Sequence, residues 1–340
     1  MGERTLTQRD LNRAVLARQL LLERSRLPIA PVLERMGGLQ AQYAPSMYVG
    51  LWSRMKRFER ADLDRALERR AVVQGTLMRT TIHLVSARDY WPFAMSVRRA
   101  RREWWLRLQK GAVDEATMRR QATRLRRLLA EGPRTAAEVK TLTSGYVGLW
   151  LDLVRVPPSG TWERRRADLY AAAEDWLGAS DATEREGLEL LVRRYLGAFG
   201  PASLADVSSW SAVPAKRLEK VLAPMSLRRF RDEDGRELVD LPRAPLPDPD
   251  TPAPVRFLPV WEAMLLVHAR RTGVLSEEYR SRVFSAQNPA SANTFLVDGL
   301  VAGSWRYGDG RIELAPFRRL SRAVRDELAD EAARLEELFR

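Results

Sequence analysis

One order of elements occurs three times along the chain, and it limits the folds that the sequence can adopt. Each time, short amphipathic helices are followed by a segment with the composition of β-strands. In the first copy, apolar residues at helical spacing extend to residue 69, and residues 72–85 are then rich in Val, Thr and Ile. Helices followed by a hairpin are typical of the winged helix, a helix-turn-helix variant whose hairpin forms the wing.

The third copy has the most complete set of local signals. Residues 186–199 form an amphipathic helical pattern, and Ser203 with Asp206 predicts the capped start of the next helix. A recognition-type helix is predicted over residues 214–222. The Asp-Gly dipeptide at 234–235 then predicts a tight hairpin, which completes a winged helix.

The middle copy begins near residue 118, has a capping signature at Thr135 and Glu138, and has a candidate wing at residues 154–162. We therefore predict a mainly α fold with small β wings (α+β), built from three tandem winged-helix units. The predicted divisions are winged helix 1 over residues 1–90, a basic and aromatic helical connector over 91–117, winged helix 2 over 118–180, winged helix 3 over 181–242, and a Pro-rich linker with a C-terminal unit of a β-hairpin and a helix over 243–340.

The charge balance indicates a polyanionic partner. The chain has 57 Lys and Arg against 44 Asp and Glu, a net charge of +13, and most of the basic residues are Arg. Arginine binds phosphate oxygens in a bidentate geometry, so nucleic acid is the first candidate partner and an acidic membrane surface the second. A solvated basic face is the alternative interpretation of the same charges.

Several chemistries are excluded by what the sequence lacks. The absence of cysteine excludes disulfides, thiolate metal sites and cysteine nucleophiles. His83 and His268 are the two histidines, no cluster of metal ligands is visible, and no phosphate-binding loop, nucleophile elbow or HExxH motif occurs. We therefore expect neither a metal nor a cofactor. The polar N-terminus and the lack of a membrane-length apolar run predict a cytoplasmic protein with no membrane partner. With DNA as its partner, the protein is expected to be nucleoid-associated.

The segment from Gly37 to Gln42, GGLQAQ, interrupts the helices of the first unit. The glycine pair and the following Pro45 disfavour a regular helix here, and residues two apart lie on the same side of an extended segment. Gln40 and Gln42 are therefore predicted to aim two amide side chains into one space. Two surface glutamines in a loop are the alternative interpretation.

Four segments together resemble the AlkZ-type winged-helix DNA glycosylases, namely residues 37–42, 77–85, 257–271 and 296–306. The resemblance spans nearly the whole chain in order, and it implies three tandem winged helices that form a concave DNA-binding face. It also implies that a glutamine–apolar–glutamine motif is catalytic, which here is Gln40 and Gln42. A sister branch has Asp in the second position, so Gln42 points to the branch associated with bulky alkylation lesions and interstrand crosslinks. One departure stands at Thr80 or Thr81, where the family pattern has a glycine.

The reaction implied by this resemblance suits two amides. A purine alkylated at N7 or N3 is cationic and leaves readily, so hydrolysis of its N-glycosidic bond mainly needs a positioned water and a stabilised oxocarbenium-like sugar. The amide oxygens of Gln40 and Gln42 can accept hydrogen bonds from that water and turn their dipoles toward the cation. The expected partner is double-stranded DNA with alkylated purines, the expected product is an abasic site, and the protein is expected to be a monomer.

Further basic residues are predicted to contact DNA, where phosphate contacts would add affinity without sequence preference. They are Arg79, His83, Arg98, Arg101, Arg102, Arg271 and Arg306. Packing or solvation is the alternative role for each of them. Two non-catalytic functions also stay open on the sequence: a winged-helix DNA-binding regulator, and a resistance protein that binds alkylated adducts without cutting them.

Overall fold

The computed structural model of the chain describes residues 4–143, 146–266, 268, 271–285 and 291–340, without the side chain of Arg271. Its α-helices are α1 (Gln8–Arg18), α2 (Ile29–Met36), α3 (Ala44–Arg54), α4 (Arg60–Glu68), α5 (Ala87–Gln109), α6 (Glu115–Leu129), α7 (Ala136–Leu142), α8 (Ala173–Leu177), α9 (Glu184–Phe199), α10 (Leu204–Ser211), α11 (Ala215–Leu222), α12 (Arg280–Val283) and α13 (Arg322–Phe339). Its strands are β1 (Arg4–Leu6), β2 (Leu39–Gln40), β3 (Val72–Thr76), β4 (Ile82–Ser86), β5 (Arg134–Thr135), β6 (Leu153–Arg155), β7 (Leu169–Ala172), β8 (Arg228–Asp232), β9 (Glu237–Asp240), β10 (Arg256–Leu258), β11 (Thr294–Val297), β12 (Leu300–Gly308) and β13 (Arg311–Pro316).

The strands form three small sheets beside a larger helical body. Their orders are β1-β8-β9, β10-β11-β12-β13 and β2-β4-β3-β6-β7-β5. All pairs are antiparallel except β1 with β8, which is parallel. The prediction of a mainly α fold with small β elements is confirmed. None of the described helices is long and apolar enough to cross a membrane.

Helices begin at the capping boxes that the sequence predicts. In each pair the hydroxyl of the cap accepts from a main-chain N–H three residues later, and the acidic side chain accepts from the cap N–H. The pairs are Thr7 with Asp10, Thr135 with Glu138, and Ser203 with Asp206. Each such cap stabilises its helix by about 1 kcal/mol.

The predicted hairpins form at their glycine turns. Gly235, with φ +76°, joins β8 to β9, and Asp298 and Gly299, with φ +47° and +79°, join β11 to β12. The β-branched run at residues 72–85 forms the antiparallel pair β3 and β4, with Gly75 opposite His83. These three predictions are confirmed because short-range turn chemistry decides each of them.

The predicted bounds of the middle wing are wrong. β6 ends at Arg155, and its partner β7 begins only at Leu169. Pro157 and Pro158 follow one residue after β6, and neither has the N–H that a strand ladder needs. The wing strands are therefore separated by a longer connection than residues 154–162 allow.

Sheet pairing links the predicted units to one another. β3 of the first unit pairs with β6 of the second through Gln74 with Arg155 and Gly75 with Val154. β1, at the start of the chain, pairs with the third wing at β8. The division into three winged-helix units, with the boundaries given above, therefore remains a prediction.

The centre of the helical body is the contact between α5 and α9. A Cβ at Gly187 of α9 would lie 2.3 Å from the main-chain oxygen of Pro92 in α5, so glycine permits the close approach of the two helices. Beside this contact, the ring of Trp210 packs edge-on against Phe93, with centroids 5.9 Å apart, and in a tilted arrangement against Tyr195, with centroids 5.2 Å apart. This packing fixes Trp210 near the end of α10.

Candidate active site

Two glycines bring the chain from α2 into the edge strand β2. Gly37 and Gly38 have φ of +74° and +85°, in the left-handed region that glycine adopts without steric cost. A Cβ on Gly38 would lie 2.9 Å from Val85 Cγ1 and 3.1 Å from the Leu84 oxygen. A side chain at this position would therefore push β2 away from β4.

The pairing of β2 with β4 places Gln40 directly opposite His83. Opposite residues of an antiparallel pair project from the same face, so these two side chains are neighbours. Gln40 is 7% exposed, whereas Gln42, in the bend after the strand, is exposed. The extended conformation predicted at Gln40 is confirmed. The shared space for both amides remains a prediction.

The hairpin of β3 and β4 holds the oxygen atom of each glutamine. Arg79 Nη2 donates to Gln40 Oε1 at 3.1 Å, and the main-chain N–H of Ile82 donates to Gln42 Oε1 at 2.9 Å. Each amide oxygen has two lone pairs, so each can accept one more hydrogen bond. The two amides are therefore fixed in orientation and still able to bind a further group.

Arg79 connects Gln40 to the neighbouring helix α10. Its Nη1 donates to the main-chain oxygen of Trp210. Burial lowers the pKa of Arg79 to about 10, so its guanidinium stays protonated at neutral pH. Two of its nitrogens already donate to protein oxygens, and the DNA contact predicted for Arg79 remains a prediction.

The turn that carries Arg79 is built from two left-handed residues. Arg79 and Thr80 have φ of +51° and +59°, and the N–H of Thr81 donates to the Met78 oxygen at 3.0 Å. Left-handed φ at both central positions defines a type I′ turn, which favours glycine. Thr80, one of the two positions at which the family pattern has a glycine, is therefore a β-branched residue in a strained conformation.

We expect Thr80→Gly to raise the free energy of unfolding by about 1 kcal/mol, because glycine relieves the cost of a positive φ. The matched control is Thr81→Gly, since Thr81 has φ −106°, a conformation that any residue adopts. That control should lower the free energy of unfolding by about 0.5–1 kcal/mol through chain entropy. Denaturant unfolding measures both. Equal destabilisation by the two changes would show that the turn is not strained.

His83 is an uncharged histidine within the sheet. It is 3% exposed, and its Nδ1 lies 3.0 Å from the oxygen of Thr81. A carbonyl oxygen only accepts, so Nδ1 carries the proton and Nε2 the lone pair. Burial, helped by the charge of Arg79, lowers the pKa of His83 to about 3. Any contact of His83 with DNA, which remains a prediction, would involve a neutral ring.

The lowered pKa of His83 predicts a loss of stability in acid. The unfolded chain binds a proton at this ring near its ordinary pKa of 6.5, whereas the folded protein does not until about 3. Stability should therefore fall as pH drops below about 6, and His83→Asn should remove this part of the slope. The difference in unfolding free energy between variant and wild type should change by about 1.4 kcal/mol per pH unit between about pH 6 and pH 4. Urea unfolding at each pH gives both free energies. A difference between variant and wild type that does not change with pH would contradict the lowered pKa of His83.

The other basic residues predicted to contact DNA lie on α5, on β12 and at position 271. Three of them share one face of α5 and donate to its neighbours: Arg98 to Asp152 Oδ2 at 2.6 Å, Arg101 to the Thr76 oxygen at 2.8 Å, and Arg102 to the Leu149 oxygen at 2.7 Å. Arg306 is exposed on β12 beside Glu313. The side chain of Arg271 lies outside the described residues. These DNA contacts remain predictions.

The groups beside the glutamines are a neutral imidazole and one guanidinium. Within the described ranges, no group of three His, Asp or Glu side chains could hold a metal ion. In the same part of the chain, no carboxylate is hydrogen-bonded to Gln40, Gln42 or Arg79. This set can orient a water molecule and interact with charge, but it contains no strong general base.

Two partners of this site were missed from the sequence. They are the Arg79 guanidinium as donor to Gln40, and the main-chain oxygen of Trp210. Arg79 is 39 positions from the first acceptor and 131 from the second. The one local signal was the glycine expected near Thr80, because it marks a left-handed turn whose side chains can point back toward the edge strand.

Comparisons with known proteins identify a family and a common fold. A family model described as DNA glycosylase AlkZ-like matches residues 33–338. Among solved structures, the Streptomyces sahachiroi DNA glycosylase AlkZ is similar, with a TM-score of 0.81 and 19% sequence identity over 99% of this chain and 98% of that chain. No curated protein matches the chain by sequence. At this identity the structural likeness shows a common fold, and the family match covers most of the chain.

Proposed function

The chain belongs to the AlkZ-like DNA glycosylase family, and from this premise we propose that it excises cationic alkylated purines from duplex DNA. The reaction is hydrolysis of the N-glycosidic bond at a purine alkylated on N7 or N3. The proposed products are a free base and an abasic site in an intact strand, as for a monofunctional enzyme. Bulky and crosslinked adducts belong to the same chemical class, because they too carry the charge on the purine.

The observation that supports this proposal most is the fixed orientation of Gln40 and Gln42 against the β3–β4 hairpin. Their amide oxygens accept from the side chain of Arg79, which lies within the turn of that hairpin, and from the main-chain N–H of Ile82, the first residue of β4. The remaining lone pairs can accept hydrogen bonds from one water molecule and hold it for attack at C1′. Because the amides do not have to reorganise during the reaction, their dipoles can also stabilise the developing cation on the sugar.

Gln40, Gln42 and His83 provide no strong proton donor, and this fits a substrate whose leaving purine needs no protonation. A cationic purine leaves as a neutral molecule, so its bond to the sugar breaks without protonation of the base. An undamaged purine leaves as an anion and requires acid catalysis, which neutral amides and a neutral imidazole supply poorly. The same groups would therefore favour alkylated purines over normal ones by the chemistry of the leaving group.

A duplex with one N7-methylguanine tests the proposal against an otherwise identical undamaged duplex. We expect abasic sites, seen as strand cleavage after alkali, in the alkylated duplex alone. Without alkali the strand should stay intact, because no amine nucleophile is assigned to the site. A second duplex with a bulky N7-guanine adduct measures the range of lesion size. Tight binding of both adducts without any base release would instead identify an adduct-binding protein.

A further inference from the structure

A cavity lies beside the turn that carries Arg79. It has a volume of about 330 Å³, and its walls include Thr76 and Thr80 of the β3–β4 hairpin, Tyr90 and Arg101 of α5, and Arg155 of β6. Neither catalytic glutamine lines it. The cavity is therefore separate from the amides, although the same turn contributes to both.

Two buried arginines line this cavity, and among the described residues neither forms an ion pair with a carboxylate. Arg101 is 5% exposed and Arg155 is 8% exposed. Arg101 Nη1 donates to the Thr76 oxygen at 2.8 Å, and Arg155 Nη2 donates to Thr76 Oγ1 at 3.1 Å. Within the described part of the chain, the Nε of Arg101 and both Nε and Nη1 of Arg155 are buried and have no hydrogen-bond partner. Two cations that line the cavity thus carry three unsatisfied donors.

The charges around the cavity do not cancel. Among its described lining residues the one carboxylate is Asp152, and Arg98 pairs with it at 2.6 Å. Lys140 adds a further cation at the rim. Burial lowers the pKa of Arg101 only to about 10, so this group is still charged at neutral pH. Buried charges without a counterion are costly, and an anion in the cavity would remove that cost.

We propose that this cavity is a phosphate-binding site in which Arg101 and Arg155 are the principal ligands. A phosphate group has several acceptor oxygens, and guanidinium donors in a planar fork match their spacing. The ring of Tyr170 lies 5.2 Å from Arg155 Cζ and holds that guanidinium against β7. The phosphate belongs either to the DNA backbone or to a free phosphate or phosphorylated small molecule. Binding of inorganic phosphate needs no damaged DNA, so this proposal can be tested whether or not the protein excises bases.

The first test is calorimetric titration of the full chain with inorganic phosphate at constant ionic strength. We expect binding of one phosphate, and a loss of affinity of about tenfold or more in Arg155→Met, which keeps an unbranched apolar stem and removes the guanidinium. Arg256→Met is the matched control, because Arg256 is also 8% exposed with an unpartnered Nε but lies on β10, outside the cavity lining. No phosphate binding by the wild type, or equal binding by both variants, would overturn the proposal.

Thermal unfolding compares each variant with itself, with and without phosphate, so a variant of lower stability can still be tested. Phosphate should raise the Tm of the wild type and of Arg256→Met but not that of Arg155→Met, since a ligand stabilises only the state that binds it. Arg155→Met should itself fold, because among the described residues the buried charge that it removes has no carboxylate partner. Arg155→Lys is the alternative variant, which retains the charge and loses the fork. An unchanged wild-type Tm in phosphate would contradict the site.

Competition with undamaged duplex DNA distinguishes the two sources of phosphate. If the site holds a backbone phosphate, inorganic phosphate will weaken duplex binding at constant ionic strength, and Arg155→Met will weaken it more than Arg256→Met. If the site holds a free phosphate or a phosphorylated small molecule, phosphate will bind and duplex affinity will not change. Both results support the site. Equal affinities of the two variants for phosphate and for duplex would refute it.

Discussion

Replacing Gln40 or Gln42 with alanine is expected to slow base release by a factor of about 100 to 1,000, which is typical for loss of one oriented dipole in an active site. Affinity for undamaged duplex DNA should not change, because neither glutamine carries charge. Gln40 contributes a buried amide oriented by Arg79, and Gln42 an exposed amide oriented by the main chain of Ile82. Single-turnover rates on an N7-methylguanine duplex measure the loss directly.

Two other glutamines provide matched controls for these variants. Gln74 is buried on β3 of the same sheet, where its Nε2 donates to the Gly160 oxygen at 2.8 Å. Gln8 is exposed at the start of α1 and donates to the Thr272 oxygen. Gln74→Ala and Gln8→Ala should release the base at the wild-type rate. Slow release in a control would mean that loss of any amide perturbs the fold. Wild-type rates in both the Gln40 and the Gln42 variants would contradict the proposed site.

The second large effect is expected for Arg79→Met. Arg79 is a positioning residue in this account: it holds the Gln40 amide at 3.1 Å and anchors the turn to the Trp210 oxygen. Without it the amide can rotate, and we expect kcat to fall by about 10- to 100-fold with little change in KM. Lysine has no planar fork, so Arg79→Lys should recover only part of the rate.

The split between kcat and KM distinguishes this role from direct DNA binding. If Arg79 contacted a phosphate, its loss would raise KM and reduce the dependence of binding on salt. Arg306→Met provides the comparison, because Arg306 is exposed on β12 and is predicted to contact DNA. We expect the Arg306 variant to change KM and salt dependence, and the Arg79 variant to change kcat. A raised KM and a weaker salt dependence in the Arg79 variant would instead show that Arg79 contacts a DNA phosphate.

The local features of the site could be predicted from sequence because each depends on neighbouring residues. Gly37 and Gly38 end α2 with positive φ, and the extended conformation follows at Gln40. The hairpin at residues 72–85 follows from β-branched composition and one glycine. The family pattern also has a glycine at Thr80 or Thr81, and the structure has a left-handed residue at Thr80.

The long-range contacts could not be predicted in this way. The donor to Gln40 is 39 positions away, and its selection depends on how the type I′ turn directs the Arg79 side chain. The pairing of β3 with β6, which brings Arg155 beside Thr76, joins two segments that sequence reasoning assigned to different units. Periodicity and capping signals describe each element, but the packing between elements decides which polar groups meet.

The most direct test of the account is a double-mutant cycle on base release at Gln40 and Gln42. Wild-type protein should form abasic sites in an N7-methylguanine duplex well above the spontaneous rate, and each alanine variant should lose most of that acceleration. Because both amides are proposed to hold one water molecule, the double variant should be about as slow as the slower single variant. Rates that multiply independently would contradict a shared water, and wild-type protein without any excision would contradict the proposed function itself.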